Sequence, residues 1–218
     1  DVHMLQPGFG WVPLWQSKIL PPCKHWDWLK KTYEPDKPDS FLKYLLDGGD
    51  IVSDFVGRCR KQKLTPFVSI RMNDTHHLDK TYSKDIRGAQ ISICEFYHSH
   101  PEYILETASN SWRDRGQNWA VPEVREYKLN LISELCHNYD IDGLELDFMR
   151  SPYLFRSFET TSEQRMQIIT DFVGRVRRLL DETAIHGKRW LSVKLPADYN
   201  MLDNAGIDIA ELAAVGVD

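Results

Sequence analysis

No run of eighteen apolar residues occurs in this 218-residue sequence, so no segment reads as a membrane-spanning helix. Basic residues are also in deficit. The 27 Lys and Arg stand against 32 Asp and Glu, a formal charge of -5, which argues against a nucleic-acid partner because phosphate contacts draw on a basic surface. The four cysteines, Cys23, Cys59, Cys94 and Cys136, lie far apart with no CxxC, so neither a zinc module nor a redox motif is indicated. The N-terminus shows neither the basic nor the apolar region of a signal peptide, yet a processed chain would begin the same way, and the compartment stays open. A glycine-rich phosphate loop, a dinucleotide fingerprint, an HExxH pair and a GxSxG elbow are all missing. No diffusible cofactor is called for, and the oligomeric state is left open.

What is present suits a globular enzyme-sized unit, with 42% apolar and 27% charged residues. Seven Trp and nine Tyr exceed what packing alone requires, and flat rings suit the apolar faces of sugars, although packing accounts for most of them. The length fits one domain, residues 1–218, but falls short of the ~250 residues of a complete eight-fold barrel.

The first forty residues, rich in Pro and Trp, read as an ordered loop. From Ser40 to Lys63 the apolar spacing is helical, with a restart at Gly48-Gly49, and LTPFVSIR follows as a strand. A long loop at about 72–121 has no element period, which in a compact domain points to function. Pro122 opens a helix, IDGLELDF is the next strand, a helix runs from about Ser162 to Thr183, and RWLSVKLP is the third strand. A last helix spans about Ile207 to Ala214, and Val217-Asp218 look like the start of one more strand. This alternation is that of parallel βαβ units.

Each strand has two unlike faces. Val68, Ile70, Leu144, Leu146, Phe148, Leu191, Val193 and Leu195 alternate with Ser69, Arg71, Gly143, Glu145, Asp147, Ser192 and Lys194. A doubly wound sheet, covered by helices on both sides, would be apolar on both, whereas a barrel can carry charges at its inner C-terminal rim. The fold class expected is therefore α/β, a TIM-type (β/α) barrel, incomplete and covering about strands three to five. Arg71, Glu145, Asp147 and Lys194 would share one cavity as a site, or else form a structural ion network.

Asp147 is the candidate nucleophile or base, and Glu145, two residues earlier on one strand, a supporting or proton-handling group. Glycoside hydrolysis needs carboxyls about 5 to 9 Å apart across the scissile bond, so a second one could come from another strand or loop. Arg71 and Lys194 can hold the carboxylate ionised, and Arg150 is a further anion contact. Asn73, Asp74 and His76, in RMNDTHHLD directly after a strand end, suit sugar hydroxyls, and the His and Asp here also suit a divalent ion. Asn110, Trp112, Asn118 and Trp119 could form a sugar-binding wall. His98 and His100 are weaker candidates.

The segment VPEVREYKLNLISELCHNYDIDGLELDFMRSP resembles the glycoside-hydrolase-like TIM-barrel proteins related to family 10, through Pro122, Glu123, Val124 and Arg125 and then Asp142, Gly143 and Asp147. HPEYIL, from His100 to Leu105, is similar to the HPEW-type element before that helix. The resemblance implies that the three strands are the third, fourth and fifth of a barrel, with strands one and two largely upstream and the C-terminus entering the sixth. DGLELDFM also resembles the DGxDxDxE strand of family 18 chitinases, but Met149 stands in place of the catalytic glutamate, which argues against an N-acetyl-assisted mechanism. A likeness to the alpha-amylase superfamily is limited to an Asp at the end of the fourth strand, since Glu145 replaces the Arg two residues earlier.

The expected function is hydrolysis of an O-glycosidic bond in a carbohydrate substrate, with Asp147 as the key carboxylate. Metal-assisted hydrolysis through Asp74, His76, His77 or Asp147, and a carbohydrate-binding barrel without catalysis, are the alternatives.

Overall fold

The computed structural model describes residues 1–106 and 111–218. Strands β1 (Val2–Leu5), β2 (Thr65–Arg71), β3 (Gly143–Asp147) and β4 (Trp190–Lys194) form one parallel sheet in that spatial order. Helices α1 (Pro22–Tyr33), α2 (Ser40–Leu46) and α3 (Ile51–Lys61) join β1 to β2. Between β2 and β3 lie α4 (Glu95–Ser99) and α5 (Pro122–Asn138); α6 (Ser162–Glu182) joins β3 to β4, and α7 (Tyr199–Ala205) and α8 (Ile209–Ala214) follow. A parallel sheet backed by helices in this order is consistent with an incomplete (β/α) barrel.

Side-chain chemistry places the layers. Val68, Ile70, Leu144, Leu146 and Leu191 are buried in one cluster with Val52 of α3, Ile132 of α5 and Phe172 of α6. The other face carries the polar residues and, at its N-terminal end, the half-exposed Met4 and Trp190. Helix ends follow local rules: Asp39 and Asp50 accept the backbone N–H of Leu42 and Ser53, and Thr161 and Gln164 close a reciprocal capping box on α6.

The first forty residues are not a single loop, since they hold β1 and α1. Four residues are too few to show alternation, and the buried stripe of α1 is Pro22, His25 and Leu29, in which a histidine replaces the apolar residue a periodicity reading seeks. That His25 is satisfied by the Gln90 carbonyl at 2.7 Å. The strand before β2 is thus present in the chain. Helix α7 was also not expected. Beside β4, Asp218 N–H donates to the Leu191 carbonyl at 2.9 Å, but Val217-Asp218, expected to start another strand, do not form one among the described residues.

Gly143 is fixed by packing. The Phe67 ring of the paired strand lies across its α-carbon, in the space a Cβ would fill. Gly143→Ala is expected to destabilise the fold by about 1 to 3 kcal/mol, the range for overpacking. In a double-mutant cycle by urea unfolding, Phe67→Leu should recover part of that loss, and strict additivity would count against this packing.

Candidate active site

Strand register builds the site in rows. Ser69, Glu145 and Ser192 are aligned across β2, β3 and β4, and one step nearer the C-terminal ends stand Arg71, Asp147 and Lys194. Paired residues of parallel strands point to the same face, so these polar groups converge. Of these, Ser69, Arg71, Glu145, Asp147 and Lys194 line an open cavity of about 430 Å³ together with Met4, Gln6, Met149 and Arg150. Its position at the carboxyl ends of the strands is where ligands of parallel α/β folds bind.

Asp147 is buried and firmly held. Its Oδ1 accepts from the backbone N–H of Met149 at 3.0 Å and of Arg150 at 3.1 Å, so the chain turns around it directly after β3. Oδ2 faces the Lys194 ammonium at 3.6 Å. Deeper in the cavity, Ser69 Oγ donates to Glu145 Oε1 at 2.7 Å.

Arg71 does not pair with Asp147. Its Nη1 reaches Asp74 Oδ2 at 2.6 Å, and its guanidinium lies 5.6 Å from the Phe9 ring centroid. Asp74 is itself buried and fully engaged, since its Oδ1 accepts both the His76 N–H at 2.7 Å and His76 Nδ1 at 2.6 Å. It therefore orients two neighbours rather than facing the cavity. With Nδ1 donating, Nε2 of His76 is left to accept from Arg150 Nη2 at 2.7 Å. Phe9 stacks on the imidazole at 5.3 Å.

Asn73, expected at a pocket wall, is buried and lines neither cavity. Its Oδ1 accepts from Gln117 N–H at 2.9 Å, while Nδ2 donates to the carbonyls of Gln117 at 3.0 Å and Tyr153 at 2.7 Å. One amide thus ties the segment after β2 to the loop after β3. Gly116 lies against this amide, where a Cβ would crowd it.

The segment after β2 does supply a wall. His76, His77, Asp79 and Trp112 line a second cavity of about 400 Å³, which shares Met149 and Arg150 with the first. Trp112 is half exposed and meets Tyr153 edge-on at 5.8 Å. Asn118 and Trp119 are buried, the latter against Phe172, and Asn110 lies outside the described residues. His98 sits among Trp28, Tyr33 and Tyr82, and His100 pairs with Glu102, both away from the strand ends.

Met4 and Gln6 escaped sequence reading because β1 did, whereas Ser69 was already on the polar face. The double role of Met149 has no sequence signal. A roomier cavity of about 510 Å³ lies among α6, α7 and α8; its charged lining residues, Glu163, Asp203 and Asp208, are all acidic and sit on or beside helices rather than at the strand ends. Among the described residues, no three His, Cys, Asp or Glu side chains form a group able to hold a metal ion, and no helix is long and apolar enough to cross a membrane.

No protein-family model matches this chain, and no curated protein does. Among solved structures, the galactosidase domain of alpha-galactosidase-sucrose kinase, AgaSK, is similar over 77% of this chain at 11% sequence identity and a TM-score of 0.32. The chain spans 31% of the length of that one.

Proposed function

We propose that residues 1–218 are part of one (β/α) barrel domain that hydrolyses an O-glycosidic bond, with Asp147 as the key carboxylate. The observation that carries this reading is Asp147 itself. It is a buried carboxylate at the C-terminal end of a parallel strand, oriented by two backbone donors, with Oδ2 turned toward Lys194 beside a cavity. Preorganised charge of this kind stabilises a developing oxocarbenium ion or attacks it. Glu145 supports it as a proton-handling group, Lys194 orients substrate, and Arg71 does so with Asp74 fixing its guanidinium. Trp112 and His76 extend the surface over which a sugar can lie, and the sequence likeness to family 10-related barrels points to the same chemistry.

A second reading has its own support. The two acidic side chains lining the cavity, Glu145 and Asp147, are neighbours on one strand rather than facing groups on two. That arrangement suits sugar binding without hydrolysis. The test is to incubate the protein with oligosaccharides of varied linkage and follow released reducing ends. Cleavage of a defined linkage is the expected result; saturable binding with no product over days would favour the second reading.

A further inference from the structure

Arg150 is placed at the junction of the two cavities and lines both. Its backbone N–H is held by Asp147, and its exposed guanidinium is held by a neutral acceptor, Nε2 of His76. That acceptor is itself fixed, because Nδ1 of the same ring is bound to the buried Asp74 and its face is covered by Phe9. Among the described residues no carboxylate pairs with the Arg150 guanidinium. The contrast with its neighbours is direct: Arg71 is neutralised by Asp74, Lys194 faces Asp147, and Arg115 faces Asp79.

An arginine oriented by an imidazole keeps its full charge and most of its five N–H donors, in a planar fork that fits a carboxylate by two parallel hydrogen bonds. Beside it, in the second cavity, stands the half-exposed ring of Trp112, steadied edge-on by Tyr153 and over its face by Arg113 at 5.8 Å. A flat apolar platform and an unpaired forked cation on one cavity wall are what a carboxylated pyranose requires, ring on ring and carboxylate on guanidinium. A neutral sugar would gain no such charge-assisted pair from that cation.

We infer that the substrate carries an anionic sugar, a uronic acid, whose carboxylate is bound by Arg150 while its ring lies on Trp112. This rests on the carbohydrate-hydrolysis reading and names its substrate class. The bond to be cleaved then lies toward Asp147, on the other side of Arg150, so the acidic residue occupies the subsite adjoining the cleaved one.

The test uses the full chain carrying Asp147→Asn, so that binding is measured without turnover. Tetrasaccharides of β-1,4-glucuronate and of α-1,4-galacturonate, their carboxyl-reduced neutral counterparts, and a sulfated neutral tetrasaccharide are titrated by calorimetry and tryptophan fluorescence. At least one uronate is expected to bind 10-fold or more tightly than its reduced counterpart. Adding Arg150→Met should abolish that difference, Arg150→Lys should restore only part of it, and Trp112→Ala should weaken acidic and neutral forms alike. Equal affinity for a uronate and its reduced form, or an Arg150→Met protein that still discriminates, overturns the inference and leaves glycoside hydrolysis standing. Preference for the sulfated sugar, retained in full by Arg150→Lys, also overturns it, because the group recognised is then not a carboxylate. Absence of binding by every tetrasaccharide removes the carbohydrate reading with it.

Discussion

Asp147→Asn is expected to lower turnover of a cleaved glycoside by roughly 100-fold or more while leaving the fold intact. The separation of the two effects follows from how the side chain is used. Oδ1 accepts two backbone N–H groups, and an asparagine carbonyl can accept the same two, so the turn after β3 survives. The other oxygen faces Lys194 at 3.6 Å and is the atom left for chemistry. Replacing it with an amide removes the negative charge, and the neighbouring ammonium then has no anion to face. Far-UV circular dichroism and a melting curve near those of the wild type, with lost turnover at unchanged KM, are the expected pair of results. A folded variant of near-normal turnover would move the chemistry to Glu145, and a change confined to KM would make Asp147 a binding group.

Why the rim was legible and its surroundings were not has a physical answer. Alternation along a strand is a local property, so the two faces of LTPFVSIR, IDGLELDF and RWLSVKLP follow from the residues alone, and the register brings Arg71, Asp147 and Lys194 into one row. Partner choice beyond a strand end depends on how distant loops close. Arg71 pairs with Asp74, three residues on, rather than with the carboxylate beside it in the sheet, because the chain folds back after β2 with Asp74 inward. Asn73 lies in the same loop and looks equally suited to a sugar hydroxyl, yet it bonds to Gln117 and Tyr153, 44 and 80 residues away. Nothing in RMNDTHHLD distinguishes the two outcomes.

Aromatic content shows the same limit. Trp11, Trp15 and Trp119 are buried in the core, and only Trp112 and Trp190 are half exposed, so most of the excess tryptophan serves packing and a single ring is left at the second cavity. Composition alone does not say which ring stands at a cavity and which serve packing. A polar residue at a core position misled in the opposite direction: the buried His25 interrupts the apolar pattern of α1, whereas the stripe of α5 stayed legible despite the buried Lys128.

Lys128 also sets a large expected response of stability to pH near neutrality. Its ammonium is fully buried, donating to the carbonyls of Gly10 and, at 3.1 Å, Arg71, with Nζ 3.7 Å from the centroid of the Trp11 ring. It thereby ties the N-terminal segment to the last residue of β2, directly behind the site. Burial lowers its pKa from the ordinary 10.5 to about 7, against the opposing pull of Asp74. Above pH 7 the unfolded chain therefore holds a proton on this lysine that the folded chain has released, so stability must rise with pH through that range. From pH 7 to 8.5 the gain is on the order of 1 to 2 kcal/mol. The cysteines act in the opposite sense, since burial raises Cys94 to about 11 and Cys136 to about 12, and stability from those groups falls as the unfolded thiols ionise. Subtracting a Lys128→Met protein, which keeps the cysteines and the side-chain volume, isolates the lysine. At pH 8.5 the neutral amine still donates to both carbonyls, and its loss should cost about 2 to 4 kcal/mol for two unsatisfied buried acceptors. At pH 6 the wild type must bury a charged lysine, and the difference between the two proteins should shrink by an amount on the order of 1 to 2 kcal/mol. Urea unfolding of both proteins at the two pH values measures this, and a difference that stays constant or grows on acidification would mean that Lys128 is charged throughout the range.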